Sequence, residues 1–353
     1  MKVELSDLLD IYEDIIRKNC KNKKKVFNFE KKKMILLYDL CNSVNNGTYS
    51  MGKYNVFLIR SPKYRIVMSL NICDKIMNHY ITLNYIIPTL NKYLDDRNVA
   101  TRKGMGNDYG IKLVKKYLEK NKKYDKFYIM KLDIKKYFYN IDHEILISMI
   151  RDKFDQDVFS FINNIICSTN ASYINDLINN IRDNELVKGY REDVVNLPNY
   201  QFGKGLPIGN MTSQFFAIFY LYKLDHYIIH DLHLKYYVRY MDDFVIIHHD
   251  KDYLNKCKLI IEEKLNKEYK LELNKKSRIY SSLEGFDFLG YHFSIYNKRT
   301  IMNVSRKSFN SIRKNIYLGN RSFEEFNRYS NYKNSFVYAG VSCVKYFLNE
   351  FYK

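Results

Sequence analysis

The sequence predicts an α+β chain in which antiparallel strands pack against helices. Short runs rich in aromatic and β-branched residues occur in pairs around turn signals, at 54–59 with 65–68 and on either side of Asp242-Asp243. Between them lie longer stretches with apolar residues at the helical spacing of three and four. No internal repeat organises the chain. Its 353 residues, 46% hydrophobic, suffice for one large domain or two to three subdomains with real cores.

Residues 4–17 place Leu8, Leu9, Tyr12, Ile15 and Ile16 on one helical face, with Ser6 as the N-cap candidate. The run from Lys21 to Lys25 reads as a solvated linker or a phosphate-contacting arm. A second helical pattern covers 29–44 and stops at Asn45-Asn46-Gly47. The pair 54–59 and 65–68 flanks Ser61-Pro62-Lys63-Tyr64, a hairpin with a basic tip. A helix follows from 74 to about 85, ending before Pro88. Residues 100–106 form a basic loop with two glycines, either solvated or gripping a phosphate through Arg102.

Residues 127–134 read as a buried strand ending in Asp133, and 135–143 turn into a helix. An acid at the end of an apolar strand is costly unless it is paired, bound to a cation or used as a cap. His143 caps or packs. Residues 154–166 form another helix, and the polar, Asn-rich segment 168–204 reads as an insertion or exposed connection. Residues 205–214 lead into an apolar helix at 215–229. Glycines before a helix start fit a loop lying against a nucleotide, although Walker A and dinucleotide spacings are absent. An amphipathic helix at 253–269 precedes strand-like segments at 271–277 and 286–293. The remainder, 305–353, reads as a basic helical bundle suited to a duplex backbone.

Lys and Arg total 58 against 39 Asp and Glu, a net charge of +19 that favours a polyanionic partner, nucleic acid before membrane. The 34 Tyr and 22 Phe supply flat faces for stacking on bases. Six cysteines occur without a CxxC pair, arguing for a reducing compartment and against zinc or disulfides. No apolar run reaches membrane-spanning length and the N-terminus has no secretory apolar segment, so the expectation is a cytoplasmic protein without a membrane partner. His230 and His233 form an HxxH on a helix, which is usually incidental, and His248 and His249 are adjacent on a strand and face opposite sides, so both resemble metal pairs only superficially. The carboxylates are more informative. Asp242 and Asp243 sit between two strand-like runs, where a tight turn can offer both to a hard divalent cation.

Taken together, the motifs resemble a reverse transcriptase. Met130-Lys131-Leu132-Asp133-Ile134-Lys135-Lys136-Tyr137-Phe138 is similar to the first catalytic palm motif, and Tyr240-Met241-Asp242-Asp243 to the YxDD motif. Residues 205–214 resemble the loop before the palm helix, and Phe288-Leu289-Gly290-Tyr291 the primer grip. The resemblance spans roughly 50–295 and implies a right-hand polymerase fold. That fold would comprise an N-terminal helical extension (1–50), fingers (51–126), a palm (127–295, with the insertion at about 168–204) and a small helical thumb (296–353). On this division no nuclease domain is expected after the thumb.

The resemblance also implies roles. Asp133, Asp242 and Asp243, with the Ile134 carbonyl, would hold two Mg²⁺ ions, with Mn²⁺ as a substitute. Lys63 or Arg65, with Arg102, would neutralise the incoming triphosphate, and Lys276 would protonate pyrophosphate. Phe138 would be the steric gate against ribonucleotides, and Gly209, Asn210 and Gln214 would line the nucleotide. Phe288, Leu289, Gly290, Tyr291, Arg306, Lys307 and Arg313 would meet primer and template. RNA template, DNA or RNA primer and deoxynucleotides are the implied partners. Most reverse transcriptases carry Gln-Gly in the palm loop; this chain has Ile208-Gly209-Asn210-Met211-Thr212-Ser213-Gln214. That form resembles reverse transcriptases of diversity-generating retroelements, which copy with errors opposite template adenines and use a small basic helical accessory protein. Bacterial defence-associated reverse transcriptases, making untemplated or protein-primed DNA, are close to it. A non-catalytic nucleic-acid-binding protein on the same fold is the remaining alternative, against which the three intact acids count.

Overall fold

The structure, a computed structural model, describes residues 1–20, 22–60, 63–308 and 310. The thumb expected over 296–353 therefore lies largely outside the described residues, as do Arg313, Lys21, Ser61 and Pro62. The chain divides into two compact units, each assembled from separate stretches. Unit 1 comprises Met1–Asp95, Lys135–Leu224 and Asn266–Leu271; unit 2 comprises Asp96–Ile134, Asp225–Leu265 and Glu272–Lys353. The α+β expectation holds, with helices and, among the described residues, three antiparallel sheets.

In unit 1 the first helix, Leu5–Ile11, continues as a π-helical turn, Tyr12–Arg17, and buries Leu8, Tyr12 and Ile16 as expected. Ser6 is not its cap: Glu4 holds the extended backbone of the N-cap position, so Ser6 falls inside the first turn. The lysine run is not a linker either. Asn22 accepts from the Lys25 N–H and caps the helix Lys23–Glu30, so three lysines form its first turn. The next helix, Lys33–Asn45, stops where predicted. The basic-tipped hairpin is β1 (Asn55–Ile59) and β2 (Arg65–Ser69), paired from Asn55↔Ser69 to Ile59↔Arg65. The helix after it does not end before Pro88. Ile72–Ile81 passes through a π-helical turn, Thr82–Ile86, into Ile87–Leu90, where Pro88 occupies a first-turn position that needs no N–H.

The largest correction in this unit concerns 168–204. It contains a 16-residue helix, Ser172–Val187, whose Ile174 and Ile178 are fully buried. They join Val56, Ile66 and Met68 of the hairpin, together with Val194, Leu197 and Tyr200, in one apolar cluster. Arg60 adds a forked pair to Glu185, at 3.0 and 2.6 Å. Many Asn residues hid two isoleucines four positions apart, enough for a seam. The segment is the platform of the hairpin.

Unit 2 is built on a four-stranded antiparallel sheet of order β4-β5-β3-β6, from β3 (Tyr128–Asp133), β4 (Tyr236–Tyr240), β5 (Asp243–His248) and β6 (Arg278–Ser281). The helix Asn107–Asn121 lays Ile111, Val114 and Leu118 into a core shared with Ile129, Val245 and Ile247. A second sheet, β7 (Phe286–Phe288), β8 (Tyr291–Tyr296) and β9 (Arg299–Val304), contributes Phe286, Phe288 and Phe293 to the same core.

Three strand expectations change here. Residues 271–277 are not a strand: Leu273 makes a single bridge to Ile134, and Lys275-Lys276 turn before β6 begins. Residues 286–293 are a hairpin, broken at Leu289 (φ +49) and Gly290 (φ +87), the positive-φ pair that a two-residue turn between Phe288 and Tyr291 demands. Asn297 (φ +46) and Lys298 (φ +56) repeat the device and return the chain as β9, so the segment assigned to the thumb from 296 begins as sheet, ahead of the helical reading at 305. No helix among the described residues is long and apolar enough to cross a membrane.

Candidate active site

Register decides the geometry of the acids. In β3 and β5 the last and first residues are partners, Asp133↔Asp243, and in β4 and β5 the closing pair is Tyr240↔Asp243. The loop of the second hairpin is therefore only Met241-Asp242. Asp242 alone occupies the tip; Asp243, expected there too, is already in the strand. Met241 takes the left-handed conformation (φ +56), which a non-glycine residue adopts at a cost. The Asp242 carbonyl accepts from the Ile134 N–H at 3.2 Å, which lashes the turn to the end of β3.

Facing carboxylates across two strands repel one another. The surroundings of Asp243, whose side chain is 29% exposed, push its carboxyl above the usual range by desolvation; Lys131 opposes that, and Asp133 adds to it. Lys131 lies two residues before Asp133, on the same face of β3. It is ion-paired to Asp243 Oδ1, and its ammonium also stands 4.8 Å from the centre of the Phe288 ring. Asp133 is clamped through its backbone: its N–H donates to Ser277 Oγ at 3.0 Å, and its carbonyl accepts from the Asn274 N–H at 2.7 Å. Lys131 was legible from the period of two along the strand. Ser277, 144 residues from Asp133, left no signal in the sequence.

Among the described residues no three His, Cys, Asp or Glu side chains are already gathered around one point. The donor set nonetheless fits a hard divalent cation: it offers only oxygen, in a register that brings two carboxylates face to face with a third in the adjoining turn. Beside it opens a cleft of about 800 Å³, bordered by Lys131, Asp133 and Asp243 and lined further out by Lys276, Arg278, Arg306 and Lys307. The four outer cations are exposed.

The remaining candidates divide by unit. In unit 2, Arg102 is turned inward: its side chain is 8% exposed, donates to the Asn98 carbonyl at 3.1 Å and lies 3.6 Å from Asp96. It ties its own loop, in place of the expected exposed phosphate grip. Phe288 and Tyr291 are buried in the core, so only the turn Leu289-Gly290 of the expected primer-grip segment reaches the surface. In unit 1, Lys63 and Arg65 are exposed on the hairpin. Phe138 is half-buried between a buried Tyr137, which donates to the Ala217 carbonyl at 2.5 Å, and Tyr139, which leans on Tyr200. Tyr137 is the core aromatic, and Phe138 is partly exposed.

The loop before the helix Met211–Tyr220 is held to the hairpin. Met68 donates its N–H to the Ile208 carbonyl at 2.7 Å, and a Cβ on Gly209 (φ +127) would stand 2.3 Å from the Met68 carbonyl oxygen. Strand β2 thus explains this glycine, where a nucleotide was expected to. Asn210, 4% exposed, donates to the Tyr54 hydroxyl at 2.7 Å and so is removed from the nucleotide set. Gln214 is the one fully exposed side chain of a helix otherwise buried on nearly every face.

Residues 52–293 match the family described as reverse transcriptase (RNA-dependent DNA polymerase). The chain belongs to that family. The right-hand polymerase fold of reverse transcriptases is accordingly its fold, and the matched stretch contains Asp133, Asp242 and Asp243. Among solved structures, apo telomerase from Candida tropicalis, truncated from its C-terminal domain, is similar at 14% identity over 71% of this chain and 55% of that one, with a TM-score of 0.46. Telomerase from Candida albicans in complex with a fragment of telomeric RNA is similar at 13% identity over 72% of this chain and 45% of that one, with a TM-score of 0.43. The chain spans about half the length of these two proteins. A search of curated proteins finds no match.

Proposed function

We propose that this reverse transcriptase synthesises DNA on an RNA template by nucleotidyl transfer at Asp133, Asp242 and Asp243. The observation that carries the reading is the register Asp133↔Asp243 with Asp242 in the adjoining two-residue turn. Facing acids are costly in a folded protein, and a site for divalent cations accounts for keeping them. The three carboxylates, with the Ile134 carbonyl, would hold Mg²⁺, which when bound supplies charge neutralisation and a more acidic primer hydroxyl. Lys131, ion-paired to Asp243, holds that carboxylate in place at the end of β3. The exposed cations Lys276, Arg278, Arg306 and Lys307 draw the phosphate backbone into the cleft. On this reading the hairpin β1–β2 belongs to the fingers, with Lys63 and Arg65 for the triphosphate, and the four-stranded sheet to the palm. Phe138 excludes the ribose 2′-hydroxyl.

The finer reading is a polymerase of a diversity-generating retroelement, working with a structured RNA and a small basic accessory protein. It rests on Ile208, whose side chain offers no hydrogen bond to an incoming sugar where most relatives carry glutamine. Discrimination at the nascent pair depends on small differences in transition-state binding, so losing a polar contact relaxes it. Two measurements test the proposal. Mg²⁺-dependent incorporation of labelled deoxynucleotides on an RNA template is expected, and its absence from well-folded protein would refute the activity. Ile208→Gln is expected to lower misincorporation opposite adenine; an unaltered error spectrum removes the retroelement argument.

A further inference from the structure

The bulkiest fully buried side chain among the described residues is a cation, Arg239, with 0% exposure. It is the penultimate residue of β4, immediately before Tyr240-Met241-Asp242-Asp243. A buried guanidinium is costly unless its donors are met. Asp225, equally buried, meets two of them in a fork: Nε donates to Oδ1 at 2.7 Å and Nη2 to Oδ2 at 2.5 Å. The Tyr237 hydroxyl donates to the same Oδ1 at 2.5 Å, and the Asn98 amide to Oδ2 at 3.4 Å. Stability alone does not require this arrangement, because well-packed apolar side chains of similar volume commonly serve as well as a buried ion pair.

The third donor is what an apolar pair lacks. Arg239 Nη1 donates to the Met241 carbonyl oxygen at 2.9 Å. Met241 is the left-handed residue of the two-residue turn, and the next residue is Asp242. The strut is itself anchored at its root: the Arg239 N–H donates to the Arg97 carbonyl at 2.8 Å, and its carbonyl accepts from the Val99 N–H at 2.9 Å. We propose that Arg239, braced on Asp225, is a positioning residue that grips the Met241 carbonyl and sets the direction in which Asp242 leaves the turn. The inference rests on Asp242 being a cation-holding carboxylate.

Two variants separate positioning from packing. Arg239→Lys keeps a charge for Asp225, but one ammonium cannot make both the fork and the bond to Met241. The combination Arg239→Met, Asp225→Leu and Tyr237→Phe removes the charges and the Tyr237 hydroxyl with its short bond to Asp225; what Asn98 loses is its long 3.4 Å contact with that carboxylate. Both are expected to melt cooperatively, and to bind Mn²⁺ several-fold more weakly by electron paramagnetic resonance without nucleotide. Their KM for deoxynucleotide should change little, while kcat falls by about 10²-fold, the effect of misplacing a reacting group by an ångström. Asp242→Asn is measured alongside. If it is inactive while either folded variant matches the parent in kcat and Mn²⁺ affinity, the functional reading stands and the positioning role is overturned. If Asp242→Asn polymerises like the parent, the functional reading itself falls.

Discussion

Hairpin β1–β2, paired as far as Ile59↔Arg65, carries Lys63 and Arg65 in solvent. Hairpin β4–β5 turns through Met241 and Asp242 alone and carries a cation, Arg239, entirely inside. The first rests on an apolar platform, Ile174 and Ile178, which fixes where the hairpin sits without dictating what its tip does. The second is fixed by charge, hydrogen bonds and a strained residue, each aimed at the acids. Solvated charges on long side chains are adaptable and individually weak. Buried ones are directional and expensive, and are worth keeping where orientation matters. One hairpin is made to reach and the other to hold still.

If that contrast is right, the largest effect on rate comes from the second hairpin's neighbourhood with little cost in stability. Asp133→Asn should lower incorporation by about 10³-fold or more, since several kcal/mol of charge stabilisation is lost. Its melting temperature should hold or rise, because one of two facing carboxylates is neutralised. A primer-extension assay beside a thermal melt reads both, and a variant that is merely unfolded would break the argument. The reverse pattern belongs to the first hairpin. Ile178→Ala should cost about 2–5 kcal/mol of stability by leaving a cavity under it, measured by urea unfolding. A cost near zero would return 168–204 to the status of a dispensable insertion.

Smaller effects sharpen the same division. Phe138→Ala should reduce the preference for deoxynucleotides over ribonucleotides by about 10- to 100-fold, the range for a shape-based pocket, read from competing single-nucleotide extensions. Last comes the tie between Arg60 and Glu185. The forked pair, helped by Lys188, pulls the Glu185 carboxyl down to about 2 from an ordinary 4.5. A carboxyl lowered by folding stabilises above its unfolded pKa and stops doing so as pH falls through its folded one. The parent should therefore lose its advantage over Arg60→Ala between about pH 4.5 and pH 2, with a constant small difference at neutral pH.

The paired runs around Ser61-Pro62-Lys63-Tyr64 and around Asp242 were readable because alternation and turn chemistry are local. So was the place of Asp133, since an acid ending an apolar strand is conspicuous. What escaped depended on partners distant in the chain. Ser277 is an ordinary serine until it lies against the Asp133 N–H, and Arg239 reads as a solvent-facing cation until Asp225 is folded over it. Asn210 and Arg102 were misplaced for the converse reason: a polar residue in a loop looks available until Tyr54 or Asp96 claims it. The segment 168–204 failed on composition, because helix seams need few apolar residues and its asparagines masked them.

Strand β3 is the first strand of its sheet to be synthesised, yet it lies inside, with β5 on one edge and β6 on the other. While the ribosome is still adding the residues between β3 and β5, an apolar ribbon that already includes Asp133 has neither hydrogen-bonding edge covered. The nascent protein therefore passes through a long interval in which the strand that carries Asp133 is an adhesive surface, the circumstance in which topology slows folding and invites chaperones. Asp133 can meet Asp243 only once β5 has emerged, and the other edge of β3 stays open until β6 follows.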